Sequence, residues 1–156
     1  MNKTFEEICL RKSVRDFSNE PITEEEKRMI LEAALQAPTA GNMALYSIID
    51  VQDQEMKERL AILCDHQPFI AKAPMVLVFL ADYQKWYDIF NEYTEDMPKL
   101  EESDFILAGQ DCTIAAHNAV VAAQSLGIGS CYIGDILENF EVHQEMFGLP
   151  KYTVPY

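Results

Sequence analysis

The sequence predicts an α+β fold with helices on both sides of a central sheet, and three observations lead there. Residues 75–80, Met-Val-Leu-Val-Phe-Leu, are apolar without a break, as a central strand covered on both faces must be. Two Thr-x-x-Glu pairs, Thr4 with Glu7 and Thr23 with Glu26, have the spacing of a capping box at a helix start. A long helical pattern from about Ser103 to Leu126 is apolar nearly all round, which fits a buried central helix or a subunit interface.

Taken in order, the first helix is expected to open at Thr4 and to end near Leu10. The second opens at Thr23. Its Ile30, Ala33, Ala34 and Ala37 fall at i, i+3, i+4 and i+7 on one small-faced stripe, and Pro38 disfavours helix in the residue before it. Residues 45–51 have strand composition, and Asp53 is placed to cap a third helix with Met56, Leu60 and Leu63 on its inner side. After the apolar strand, an aromatic-rich helix runs from Asp82 to about Tyr93. A polar loop through Pro98 follows, then the long helix, with Gly127 as its stop. Residues 130–133 read as a short strand, residues 138–147 as a helix, and residues 152–156 as the opening of another strand. No repeat, low-complexity tract or linker divides the chain, so one domain is expected over residues 1–156.

Acidic residues outnumber basic ones 26 to 12, for a formal charge of -14, which argues against nucleic acid or an anionic membrane as a partner. The longest apolar stretch, residues 73–81, is far short of the roughly 20 residues a membrane helix needs. Met1 is followed by a charged helical pattern without the apolar core of a secretory signal. Cys9, Cys64, Cys112 and Cys131 form no C-x-x-C pair and sit among apolar neighbours. The expectation is a cytoplasmic protein with reduced thiols.

Against that acidity, Arg11-Lys12-Ser13-Val14-Arg15 gathers three cations and a hydroxyl. A bound phosphate would account for them, because guanidinium groups grip phosphate oxygens in a fork geometry. Cations beyond a helix C-terminus are also favoured by the helix dipole, by about 0.3–1 kcal/mol each, and the residues alone leave both readings open. Pro38-Thr39-Ala40-Gly41-Asn42 has small side chains that let a ligand approach the backbone, with a hydroxyl and an amide to bond it. An ordinary helix-to-strand turn would look the same.

Residues 127–134 carry Gly127, Gly129 and Gly134 but lack the dinucleotide fingerprint and follow a helix, so a Rossmann NAD site is not supported. Trp86, Tyr87, Phe90 and Tyr93 form an aromatic helix face that either packs on the sheet or roofs a flat ligand. No metal site is expected: neither Cys64 with His66 nor Cys112 with His117 has the partners or spacing, and His117 reads as a hydrogen-bonded residue on an apolar helix.

Three motifs in this order, RKSVRDF, LEAALQAPTAGN and SLGIGSCYIGDI, resemble the nitroreductase family of FMN-dependent oxidoreductases. The resemblance implies a three-layer α/β/α sandwich around a central, mostly antiparallel sheet, assembled as an intertwined homodimer with FMN at the interface. It implies Arg11, Lys12, Ser13 and Arg15 at the FMN phosphate and ribityl chain. Pro38, Thr39, Ala40, Gly41 and Asn42 would form the loop that reaches the flavin from the partner subunit, and Gln67 would lie near the cofactor. Tyr132, Ile133 and Gly134 would run along the isoalloxazine, a main-chain amide facing its N5 region. No side chain is implied as a catalytic acid or base. Flavin N5 would carry the chemistry, taking hydride from NADH or NADPH and passing electrons to a nitroaromatic, a quinone or a similar flat acceptor in a ping-pong cycle.

Two departures from the family pattern stand out. Many relatives continue the loop as Asn-x-Gln-Pro-Trp, whereas Asn42 is followed here by Met43-Ala44-Leu45-Tyr46, which removes a polar contact at Ala44. Relatives also continue past the position of Pro155 with a strand, a reaching arm and a basic residue at the phosphate, so the sequence is expected to lack these. The alternatives to the oxidoreductase reading are a flavin-binding protein of the same fold without efficient turnover, and a family member acting as a dehalogenase or alkene reductase.

Overall fold

Asn2, not Thr4, opens the first helix. The computed structural model describes residues 2–94 and 99–156. In it α1 is Lys3–Leu10, and the Asn2 carboxamide accepts from the Phe5 N–H. Asparagine outranks threonine as an N-cap, so Thr4 is drawn into the first turn. The second expected box is present: α2, Glu24–Leu35, begins with the Thr23 N–H donating to Glu26 Oε2 at 2.8 Å and the Glu26 N–H donating to Thr23 Oγ1 at 3.2 Å. The chain continues through a 3-10 turn at Ala40–Asn42 into β1, Tyr46–Asp50. Then comes α3, Gln54–Leu63, capped by Asp53 as expected, and a short α4, Phe69–Lys72, that no sequence pattern announced.

The apolar run forms β2, Leu77–Asp82. Because this strand extends to Asp82, α5 starts later than expected, at Gln84–Tyr93. The polar loop expected through Pro98 falls on residues 95–98, outside the described residues. The long helix is α6, Glu102–Ser125, followed by a 3-10 turn at Gly134–Leu137, then α7, Phe140–Met146, and β3, Thr153–Pro155. The strand expected at residues 130–133 does not form. Only Ser130 pairs, in an isolated parallel bridge with Ser13, because the 3-10 turn begins too soon for a ladder to extend.

The sheet order is β1-β2-β3 with both pairings antiparallel, so the apolar strand lies in the middle. Its side chains alternate between two covered faces. Val78 and Leu80 pack with Leu60 of α3, Ile70 of α4 and Ile136, while Leu77 and Phe79 pack with Ile30 and Ala34 of α2 and Ala119 of α6. This is the helix–sheet–helix layering that the resemblance implied. Asp82, buried at the end of β2, accepts from Ser47 of β1 and, at 2.8 Å, from Thr153 of β3, so one carboxylate fastens all three strands.

The helix α6 buries Ala108, Cys112, Ala115, Ala119 and Ala123, small residues that let α2 approach closely. Its end has the hydrogen bonds of a Schellman motif: Gly127 N–H to Gln124 O at 3.0 Å and Ile128 N–H to Ala123 O at 2.9 Å. The motif requires a left-handed residue, which Gly127 supplies at φ 78. Apolar residues remain outside this packing. Ile106 and Ile114 of α6 are exposed, and α1 buries nothing, leaving Phe5, Ile8 and Leu10 at the surface.

Burial pushes the Cys64 thiol up to about 11 and the Cys112 thiol up to about 12, with nearby Asp135 and Asp111, respectively, adding to the rise. An unfolded thiol ionises near ~8.5, so above that pH the folded state keeps protons that the unfolded state releases. The stabilisation is complete below that range and is lost as pH rises towards 11–12. Resistance to urea should therefore weaken progressively above about pH 8.5, and Cys112→Ala should flatten this alkaline limb. An identical limb in the variant would assign the loss to other groups.

Candidate functional site

Past the end of α1 the chain runs extended against the segment that follows α6. Arg11 is the C-cap of α1, its N–H on Glu7 O at 3.1 Å. Val14 N–H donates to Ser130 O at 2.9 Å beside the Ser13–Ser130 bridge. This approach depends on Gly129, where a Cβ would lie 2.5 Å from Val14 Cγ2. Gly129→Ala is expected to separate the two segments at a cost of about 1–3 kcal/mol. Hydrogen exchange at the Val14 amide should then speed up severalfold, and an unchanged rate would show that the contact is not confining.

Among the described residues no carboxylate pairs with Arg11, Lys12 or Arg15, and the ion pairs there are made elsewhere. In a chain with 26 acidic residues this leaves the segment open to an outside anion. Arg11 is half-buried, and its Nη1 is fully buried without a hydrogen-bond partner. Burial pushes the Tyr132 phenol up, and the nearby Arg11 charge holds it back. Lys12 and Ser13 are exposed. The Arg15 guanidinium lies 5.9 Å from the centroid of the Phe69 ring. The helix dipole accounts for Arg11 at its cap, but Arg15 is well beyond the last turn, where the dipole has faded.

Gln67 lies in the same neighbourhood. Its Nε2 donates to Cys64 O at 2.9 Å and to Asp135 Oδ2 at 2.7 Å. Tyr132 is exposed, Ile133 packs against the Leu60–Val78 side of the core, and Gly134 opens the 3-10 turn that carries Asp135. The structure thus gathers the basic segment, Gln67 and residues 132–134 at one end of the fold.

The loop 38–42 belongs to a different set of contacts. Asp111 of α6, 2 % exposed, accepts from the Ala40 N–H at 2.9 Å and the Leu45 N–H at 3.2 Å. Thr39 Oγ1 accepts from the Ala44 N–H at 3.2 Å, and Trp86 Nε1 donates to Met43 O at 2.7 Å. Gly41, Asn42 and Ala44 all have positive φ. Among the described residues, no hydrogen bond, ion pair or ring contact joins this loop to the basic segment.

The aromatic face divides. Trp86 packs beside Leu45, Ala81 and Ala108 and meets the Phe90 ring at 5.5 Å, Tyr87 lies tilted against Tyr152 at 4.6 Å, and Tyr93 faces outward. His117 is exposed on α6. Sequence reasoning overlooked Asp111 and Asp135; the available signal for Asp111 was a lone carboxylate in the most apolar stretch of α6.

A cavity of about 600 Å³ lies between the strap 14–22, the edge of β2 and residues 127–134. It takes in Tyr132, Ile133 and Gly134 but none of the cations, and its walls are largely apolar. It borders the part of β2 that β3 leaves uncovered, since β3 pairs only with Leu80, Ala81 and Asp82.

A three-stranded antiparallel sheet covered by helices on both faces defines an α+β fold. The chain belongs to the nitroreductase family, whose model matches residues 8–156. It is 34% identical to the FMN reductase (NADPH) of Bacillus subtilis (strain 168), a match covering 99% of this chain and 63% of that protein. It is 33% identical to the NADPH-flavin oxidoreductase of Vibrio harveyi, covering 97% of this chain and 61% of that protein. The solved structure of B. megaterium NfrA1 superposes with a TM-score of 0.93 at 33% identity, over 99% of this chain and 63% of that one. The chain spans less than two thirds of the length of these relatives. No helix among the described residues is long and apolar enough to cross a membrane.

Proposed function

We propose that this chain is one FMN-binding unit of a cytoplasmic enzyme that passes electrons from NADH or NADPH to a small flat acceptor such as a nitroaromatic or a quinone. The observation that carries this reading is the buried, unpartnered Nη1 of Arg11 within a cation cluster that no carboxylate among the described residues neutralises. A buried donor without an acceptor is costly, and a phosphate dianion supplies the acceptor it lacks. The names of the relatives, FMN reductase and NADPH-flavin oxidoreductase, agree with it.

In this reading Arg11, Lys12, Ser13 and Arg15 hold the phosphate and ribityl chain, and Gln67 with Tyr132, Ile133 and Gly134 borders the ring. The bound flavin supplies hydride and electron transfer at N5. The protein's part is to bind and orient the cofactor, to exclude water, and to aim a main-chain N–H from residues 132–134 at the charge that develops on the ring. Pro38, Thr39, Ala40, Gly41 and Asn42 serve the flavin of a second copy in a homodimer. Two observations support that assignment: the loop is tied to α6 away from the cations of its own chain, and apolar residues of α1 and α6 are left uncovered.

The visible spectrum of the purified protein tests the proposal. A flavin band, bleached by NAD(P)H and restored by a quinone, is expected. Colourless protein that takes up no added FMN overturns it. Bound flavin that NAD(P)H does not bleach would leave a binding protein without turnover, and product analysis across an acceptor panel would reveal dehalogenation or alkene reduction.

A further inference from the structure

The side-chain amide of Gln67 has one orientation open to it. Its Nε2 lies 2.9 Å from Cys64 O and 2.7 Å from Asp135 Oδ2. A carbonyl and a carboxylate both accept, so turning the amide over would set Oε1 against two acceptors. Both N–H groups are therefore committed to the protein. Oε1 carries no protein hydrogen bond and is not among the buried unpartnered atoms, which leaves it open to solvent. Gln67 thus presents an acceptor and no donor. Its backbone is anchored as well, the N–H on Ala61 O at 2.8 Å, close in sequence to Phe69 beneath Arg15.

Asp135 is held in turn. It sits in the 3-10 turn Gly134–Leu137, where Ile136 O accepts from His143 Nδ1 at 2.9 Å. Past the end of that turn, Asn139 Nδ2 donates to Leu63 O at 3.0 Å and ties the segment to α3. His143 is fully buried, so the turn is secured from the interior.

We infer that Asp135 is a positioning residue that fixes Gln67 as a hydrogen-bond acceptor for a ring N–H of the bound ligand. The inference rests on the FMN reading of this site, and it specifies what Gln67 recognises. An oxidised flavin carries one ring N–H donor, its imide, and an amide locked with its oxygen outward matches that edge alone. Without the carboxylate, one amide N–H is released, Gln67 can turn over, and part of the population offers the wrong polarity.

A double-mutant cycle on FMN affinity, read by flavin fluorescence, tests this. Asp135→Asn preserves shape but lets the Gln67 amide face either way, and should weaken FMN binding about fivefold. Gln67→Ala should weaken it about tenfold. The double variant should bind as Gln67→Ala does, because no amide remains to be oriented. Effects that multiply would mean that Asp135 supports the fold independently of Gln67, and would overturn the inference while FMN binding stands. A second measurement needs no cofactor: the Gln67 side-chain amide protons should exchange slowly in the wild type and faster in Asp135→Asn. Fast exchange in the wild type also overturns the inference. A wild type that takes up no FMN overturns the reading of the site itself, and this inference with it.

Discussion

Replacing Asp111 by asparagine is expected to destabilise the protein by about 2–4 kcal/mol and to release residues 39–45 before the rest unfolds. The carboxylate accepts two backbone N–H groups, from Ala40 and Leu45, at a position only 2 % exposed. An asparagine has one oxygen and one NH₂, so one of those N–H groups would face a donor instead of an acceptor. A buried donor left unsatisfied costs ~1–3 kcal/mol, and the surviving bond loses its charge assistance. The loop has little else with which to resist, because Asn42 and Ala44 are in the left-handed region, where a side chain costs roughly 1–2 kcal/mol. Two contacts would remain, the Thr39 hydroxyl on the Ala44 N–H and the Trp86 indole on Met43 O. Urea unfolding measures the stability, and hydrogen exchange at residues 40–45 measures the release. A midpoint within error of the wild type would mean that the loop holds its shape without Asp111.

That clasp also shows which parts of the molecule its sequence discloses. Residues 75–80 announced a doubly covered strand because their signal is continuous and local, and Thr23 with Glu26 announced a helix start because both partners lie within one turn. Gly127 disclosed the end of α6 for the same reason. The hydrogen bonds that shape the candidate site are of another kind. Asp111 meets Ala40 and Leu45 at separations of 71 and 66 residues, and Gln67 meets Asp135 at 68. No periodicity connects such partners. A carboxylate in an apolar helix can be recognised as unusual, but its acceptor role appears only once the fold has brought the loop to it.

The local signals failed where two were nearly equivalent. Asn2 and Thr4 could each cap α1, and the stronger cap prevailed. Residues 130–133 have strand composition, yet one bridge is all they form. The motifs recognised by resemblance fared differently. Residues 11–15, 67 and 132–134 converge at one end of the fold, whereas residues 38–42 do not join them within the chain. The homodimer proposed above would reconcile the two sets.

The second large effect is expected at Arg11, and its sign separates the two readings of the basic segment. Arg11→Met should raise the stability of the flavin-free protein by about 1 kcal/mol, because it removes a buried N–H donor that no acceptor satisfies while keeping an apolar stem of similar length. The same substitution should weaken FMN binding by about a hundredfold, the worth of a charge-assisted contact to a phosphate in a partly buried site. If Arg11 were only a cation at the end of α1, the variant would instead lose about 0.3–1 kcal/mol of helix-dipole stabilisation and FMN affinity would not change. Thermal melts with and without FMN decide between them. In the wild type the cofactor should raise the melting temperature in proportion to the logarithm of its concentration once saturation is passed. In Arg11→Met the flavin-free melt should start higher and the same FMN concentrations should barely move it. Opposite signs in one substitution are difficult to obtain from a packing defect, which would lower both. A half-buried cation with one buried, unsatisfied N–H donor, retained for its ligand at the expense of the empty fold, produces that pair of signs.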